Sequence, residues 1–277
     1  MPPEESKKSV PARIKKNHRK QKFLTAHDKM SEAWGDPEEM TGVQTEILSK
    51  KKLLLFWYRG IYQYIKNNLS GETVTLEMGS GSSLLWEHIP GLIRSNILFI
   101  KENDLVFSAF NMPFKDSSVG NIVLINVLHH LQDPVAFLKE TERVLKPGGR
   151  VLISDPYISY LSYPIWHYLH PENCDTKNIG FNNTGDINPM IDANSATATN
   201  MFFVKDSSLS GHQLELVKVE LHSKFLYWVA GGYNFPQFIP TCFTPMVRLA
   251  EKVFSPLDKW LASFMYVILE KSTTAHV

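Results

Sequence analysis

The clearest chemistry in this chain sits in Glu77-Met78-Gly79-Ser80-Gly81. Two glycines one residue apart permit a tight turn and let a ligand approach bare backbone. The acid before them can meet a ligand's ammonium group. A helix starting at Ser82 is expected to add free N–H groups from its first turn. A nicotinamide site would want a third glycine, in the pattern G-x-G-x-x-G. Leu84 occupies that position here. Turn formation without any ligand also accounts for so short a motif.

Further candidates lie downstream. His129-His130 follows an apolar stretch and could supply a base, although packing and helix capping are alternatives. Asp155-Pro156 ends another apolar stretch, where it could face a ligand or start a turn. In Trp166-His167-Tyr168-Leu169-His170-Pro171-Glu172, a helical course would put His167 and His170 on one face. A base or hydrogen-bonding role is one reading there and a local structural use the other; no metal site is expected. The small polar run Asn194-Ser195-Ala196-Thr197-Ala198-Thr199-Asn200 suits the lining of a pocket for a hydroxylated ligand, or a surface loop.

These residues need elements to hold them. Residues 44–69 carry an apolar stripe at helical spacing, including Leu53, Leu54, Trp57, Ile61 and Ile65. Residues 73–78 read as a buried strand, 82–88 as a short helix, and 96–100 and 105–109 as strands. Residues 121–126 read as a strand, 134–145 as a helix and 150–154 as a strand. Such alternation implies a parallel sheet with right-handed crossovers. Residues 156–200 are irregular and rich in Tyr, Trp, His, Asn and Pro, as in a lid or binding element. Residues 214–222 resume as a strand, 246–261 as a helix and 264–269 as a closing strand.

Three segments then occur in order: Asn111-Met112-Pro113-Phe114-Lys115-Asp116-Ser117-Ser118, Asn126-Val127-Leu128-His129-His130-Leu131, and Arg143-Val144-Leu145-Lys146-Pro147-Gly148-Gly149-Arg150. With the glycine turn, this pattern resembles class I S-adenosylmethionine-dependent methyltransferases of the type 11-like group, over residues 76–156. The resemblance implies an α/β, Rossmann-like fold: a seven-stranded, mostly parallel sheet with helices on both faces and an inserted lid at about 156–205. It implies S-adenosylmethionine as cofactor, held by Glu77, Gly79, Ser80, Gly81, Asn96, Ser108, Ala109, Asn126 and His129. Catalytic candidates are His129, His130, Asp155, His167 and His170. Two positions depart from the family. The acid that usually holds the ribose is replaced by Asn96, and the acid near the adenine by Ser108. Each replacement forfeits about 1 kcal/mol of charge-assisted bonding. Glu102 or Asp104 could substitute if the connection folds back.

Composition sets outer bounds. The 277 residues carry a net charge of +1, which argues against a whole-molecule polyanion binder. Eight Lys or Arg fall within residues 1–22, so residues 1–45 are expected to form a basic, disordered arm before a methyltransferase domain at 46–277. That arm either meets an anionic partner or is a solvated tail. Two cysteines, Cys174 and Cys242, form no metal-ligand spacing. No transmembrane segment or signal peptide is expected, and the expected location is cytoplasmic. The expected reaction is methyl transfer to a small or amphipathic acceptor, at the oxygen of a saccharide or lipid-linked intermediate. The alternatives are a degenerate fold acting as a binding scaffold, and methylation of RNA or protein with help from the basic arm.

Overall fold

The computed structural model describes residues 33, 36–71, 73–181, 187–204 and 209–273. The basic segment 1–22 lies outside them. The first element, α1 (Pro37–Lys50), starts within the segment expected to be an arm. Asp36 caps it by accepting from the N–H groups of Glu38 and Glu39, Pro37 fits its first turn, and acids there complement the helix dipole. The single helix expected over 44–69 is two helices, because Lys51 leaves helical geometry. Its ammonium group turns inward and donates to the carbonyls of Gly232 and Phe235, tying the helix junction to a distant loop. Helix α2 (Lys52–Asn68) buries Leu53, Leu54, Trp57, Ile61 and Ile65, as their spacing requires.

Seven strands follow: β1 (Thr75–Met78), β2 (Ile93–Asn96), β3 (Leu105–Val106), β4 (Val119–Ile125), β5 (Leu145–Pro156), β6 (Leu214–His222) and β7 (Phe264–Lys271). They form one sheet in the order β3-β2-β1-β4-β5-β7-β6. β7 runs antiparallel to both its neighbours, and the pairs β1–β2, β1–β4, β2–β3 and β4–β5 are parallel. The sheet is therefore the Rossmann-like one expected. β4 shows how it is filled. Ile122 and Leu124 join the apolar core on one face with Phe137 and Leu138 of α3 (Pro134–Val144). Val123 and Ile125 join the core on the other face with the apolar stripe of α2.

Several boundaries differ from expectation. β2 ends where a strand was expected to begin, and residues 97–104 return directly to β3 without a helix. The helix expected at 82–88 is one 3-10 turn, Leu85–Glu87. Ser83 Oγ accepts locally from the Leu85 N–H, and with only 14 residues between β1 and β2 the chain spends its length on the turn. The helix expected over 246–261 is α5 (Thr244–Val253) followed by short turns, preceded by α4 (Leu226–Ala230). Among the described residues, no helix is long and apolar enough to cross a membrane.

The insertion after β5 is packed rather than loose. Trp166, in a short π-helical turn (Ile165–Leu169), is buried edge-on against Phe264 and Trp228. The run 194–200 is also buried. The Asn194 amide donates to the carbonyls of Asp175, Asn178 and Gly180, and Asn200 adds bonds to Asp175 and Asn178. Those side chains satisfy backbone that has no sheet or helix to bond with. They are internal scaffolding and do not line the cavity.

Candidate active site

The chain leaves β1, lays down β2 and β3 on one side, then crosses back to place β4 on the other. Ligands in open α/β sheets bind in the crevice that such a reversal opens at the strands' carboxyl ends. Here that crevice is a cavity of about 500 Å³. Gly79, Ser80 and Gly81 line it after β1, Asn96 after β2, Ser108 and Ala109 after β3, and Asn126, Val127 and His129 after β4. Met40 and Gln44 of α1 close one side, and Tyr58, Tyr227 and Tyr233 add an aromatic wall. The hydroxyl of Ser82 joins these parts, lying 3.2 Å from Gln44 Oε1 and 3.3 Å from the Tyr233 hydroxyl.

The glycine turn is required by space as well as by conformation. Gly79 has φ +66°, and a β-carbon there would lie 2.5 Å from Val127 Cγ2. At Gly81, φ is +45° and a β-carbon would meet nothing closer than the Gly79 carbonyl oxygen at 3.8 Å. The bare backbone thus faces open cavity. Asn126 also takes a left-handed φ, +56°, and its Oδ1 is buried without a hydrogen-bond partner while the residue lines the cavity. These unmet groups and the side-chain-free turn fit a polar, adenosine-bearing ligand such as S-adenosylmethionine.

Glu77 does not line the cavity. It is buried behind the turn, and neither carboxylate oxygen has a hydrogen-bond partner. Burial raises its pKa from the ordinary 4.5 to about 7, against the opposing influence of the Ser83 and Ser80 hydroxyls and the Arg94 charge. Asn96 and Ser108 both line the cavity. Asn96 Oδ1 accepts from the Leu98 N–H at 3.2 Å and Ser108 Oγ from the Phe110 N–H at 3.2 Å, so both are partly used in shaping their own turns. Asp104 is turned back to the Arg94 N–H, 2.8 Å away, and Glu102 is exposed, so neither acts as a substitute.

At the far end of the cavity the structure gathers residues that are distant in sequence. His129 is buried, with Nδ1 2.9 Å from Asp155 Oδ1 and Nε2 3.3 Å from Glu172 Oε2. His130 Nε2 lies 3.5 Å from Glu172 Oε1, and its Nδ1 lies 3.3 Å from the Asp192 carbonyl. His170 Nδ1 lies 3.5 Å from Glu172 Oε2. Ser195 donates its hydroxyl to Glu172 Oε2 from behind, and the Asn194 N–H holds the His129 carbonyl. Burial alone would lower the pKa of His129, but the charges of Asp155 and then Glu172 outweigh it and raise it to about 10. Burial lowers His130 to about 4 and also lowers His170. Burial would raise Glu172, but His170, His129 and His130 together carry it well below the ordinary carboxylate range.

His129, His130 and His170 thus meet, with Asp155 behind His129. His167 does not join them. It is exposed and stacks on Tyr163, because the π-helical turn breaks the i,i+3 register that would have aligned it with His170. Glu172 is the organising carboxylate, and only its closeness in sequence to His170 hinted at it. Asp192 gave no sequence signal and Ser195 was legible only as part of a small polar run, since both act through a fold-back of 20 residues or more.

Residues 76–153 match the sequence model of a family described as "Methyltransferase domain". Over these residues the chain is similar to methyltransferase domains. A probable S-adenosylmethionine-dependent methyltransferase of Mycolicibacterium smegmatis is 29% identical over 122 residues, covering 36% of this chain and 46% of that protein. A tRNA U34 carboxymethyltransferase of Campylobacter curvus is 26% identical over 100 residues, covering 36% of this chain and 32% of that protein. A methyltransferase of Schizosaccharomyces pombe is 43% identical over 58 residues, 21% of each chain. The chain therefore matches less than half of these relatives' own length. Among solved structures, geranyl diphosphate C-methyltransferase from Streptomyces coelicolor is similar with a TM-score of 0.49 and 11% identity, over 95% of this chain and 100% of that one.

Proposed function

We propose that this protein transfers the methyl group of S-adenosylmethionine to a small amphipathic acceptor, at the oxygen of a saccharide or lipid-linked intermediate. The observation that carries this reading is the single cavity running from the bare turn at Gly79–Gly81 to the histidine cluster. Bound at the turn, the cofactor supplies a methyl group already activated on a sulfonium. The protein has to align the acceptor and exclude water. Tyr58, Trp166, Tyr227, Tyr233 and Phe264 give the acceptor apolar walls, while His129, His130, His170 and Glu172 give it polar partners. An acceptor hydroxyl must also lose a proton. His170 is suited to take it: burial favours its neutral form, and it lines the cavity with Nδ1 turned to Glu172. Glu172 stands behind it, and cationic His129 is held too firmly between Asp155 and Glu172 to serve as a base.

Titration calorimetry with S-adenosylmethionine and S-adenosylhomocysteine tests the first half. Micromolar binding, abolished by Gly81→Arg in a folded protein, is the expected result. No binding by the folded wild type would remove the enzyme reading and leave a scaffold. Release of S-adenosylhomocysteine on addition of glycosides, polyprenyl-linked sugars or tRNA tests the second half. Turnover with tRNA alone would move the acceptor to nucleic acid.

A further inference from the structure

The contacts within the histidine cluster do not resemble a finished hydrogen-bond network. The Asp192 carbonyl can only accept, so His130 Nδ1 carries a proton toward it, 3.3 Å away. His130 Nε2 lies 3.5 Å from Glu172 Oε1. His129 Nδ1 lies 2.9 Å from Asp155 Oδ1, and its Nε2 faces Glu172 Oε2 at 3.3 Å. Charge-assisted N–H···O bonds are shorter, about 2.7–2.9 Å. Donor atoms held tetrahedrally by zinc at about 2.0–2.1 Å stand about 3.3 Å apart. The Nε2 atoms of the two histidines thus flank the Glu172 carboxylate, one beside each oxygen, at 3.3 and 3.5 Å, close to that spacing.

We infer that His129, His130 and Glu172 form a binding site for a divalent transition metal of the zinc type, with its open side toward the cavity. Their ligand atoms all lie within 4.8 Å of one another. Each ligand has the supporting partner that metal ligands usually have: Asp155 behind His129, the Asp192 carbonyl behind His130 and the Ser195 hydroxyl behind Glu172. Two imidazoles and one carboxylate favour zinc or its neighbours over magnesium or calcium, which take oxygen ligands. Three protein ligands leave a coordination position for a molecule in the cavity, as in catalytic rather than structural sites. His170, 3.5 Å from Glu172 and without a hydrogen bond at Nδ1, borders that position. This site does not depend on the methyl-transfer reading.

The test uses the full chain, purified and stripped with a chelator. Titration with Zn²⁺ is expected to show one equivalent bound, and Co²⁺ is expected to develop the visible absorption of a four-coordinate site with nitrogen ligands. His130→Asn and Glu172→Gln should each weaken binding about 100-fold or more and abolish the cobalt spectrum. Asp155→Asn, which acts only behind His129, should weaken it about tenfold. Circular dichroism confirms that each variant is folded; should Glu172→Gln fail to fold, His130→Asn decides. No stoichiometric uptake by the wild type overturns the inference, as does binding undiminished in folded His130→Asn. S-adenosylhomocysteine affinity, measured on the same samples, reports separately on the methyl-transfer reading.

Discussion

One end of the cavity is nearly free of charge and the other is crowded with it. At the glycine turn, Asn96 and Ser108 stand where the family carries acids, and the one carboxylate nearby, Glu77, is buried behind the backbone without a partner. At the far end, His129, His130 and His170 surround Glu172, with Asp155 in support. The difference shows where binding energy can come from. The turn end offers shape, backbone and neutral hydrogen bonds, each worth about 0.5–1.5 kcal/mol. The histidine end holds paired charges whose loss is costly, because each leaves its partner buried alone.

The contrast can be broken most forcefully at Asp155. Asp155→Ala leaves buried His129 without its closest counter-charge, and stability in urea unfolding should fall by about 3–5 kcal/mol. A loss below about 1 kcal/mol would mean that the pair contributes little. Next in size is the pH dependence that Glu77 imposes. Its folded pKa, about 7, lies above its ordinary 4.5, so the unfolded chain ionises first as pH rises. Stability should therefore decline by on the order of 3 kcal/mol between about pH 4.5 and 7 and level off above. Glu77→Gln should remove that decline. Bound cofactor, if its ammonium group reaches this carboxylate, should reduce it.

A smaller effect is expected at the turn itself. Gly79→Ala should cost about 1–3 kcal/mol through its positive φ and the collision with Val127, and Val127→Ala should recover only the steric part, as a double-mutant cycle would reveal. The smallest effect sharpens the comparison from the other side. Asn96→Asp restores charge at the ribose position while keeping an acceptor for the Leu98 N–H. It should tighten S-adenosylhomocysteine binding five- to tenfold, about 1 kcal/mol, in calorimetry. Unchanged affinity would mean that residue 96 does not reach the ligand.

The legibility of the two ends also differed. The glycine turn could be read from five adjacent residues because its geometry is local: only glycine tolerates positive φ where Val127 presses close. The surrounding strands were legible from their apolar runs, although β2 was misplaced and the 82–88 helix did not form, since so short a connection had to serve the turn first. At the far end, sequence nominated His129, His130, Asp155 and His170 separately. It also nominated His167, which the π-helical turn sends to the surface.

The sequence by itself determined the alternating α/β order and the bare turn. These follow from periodicity and from residue types at fixed local positions, which survive any detail of packing. Only the tertiary structure decided that Glu172 would join His129 and His130, that Ser195 and Asp192 would support them, and that Glu77 would sit behind the turn. Those outcomes depend on how the insertion after β5 folds back over the ends of β4 and β5, where Asn194 and Asn200 satisfy irregular backbone that no periodic pattern encodes.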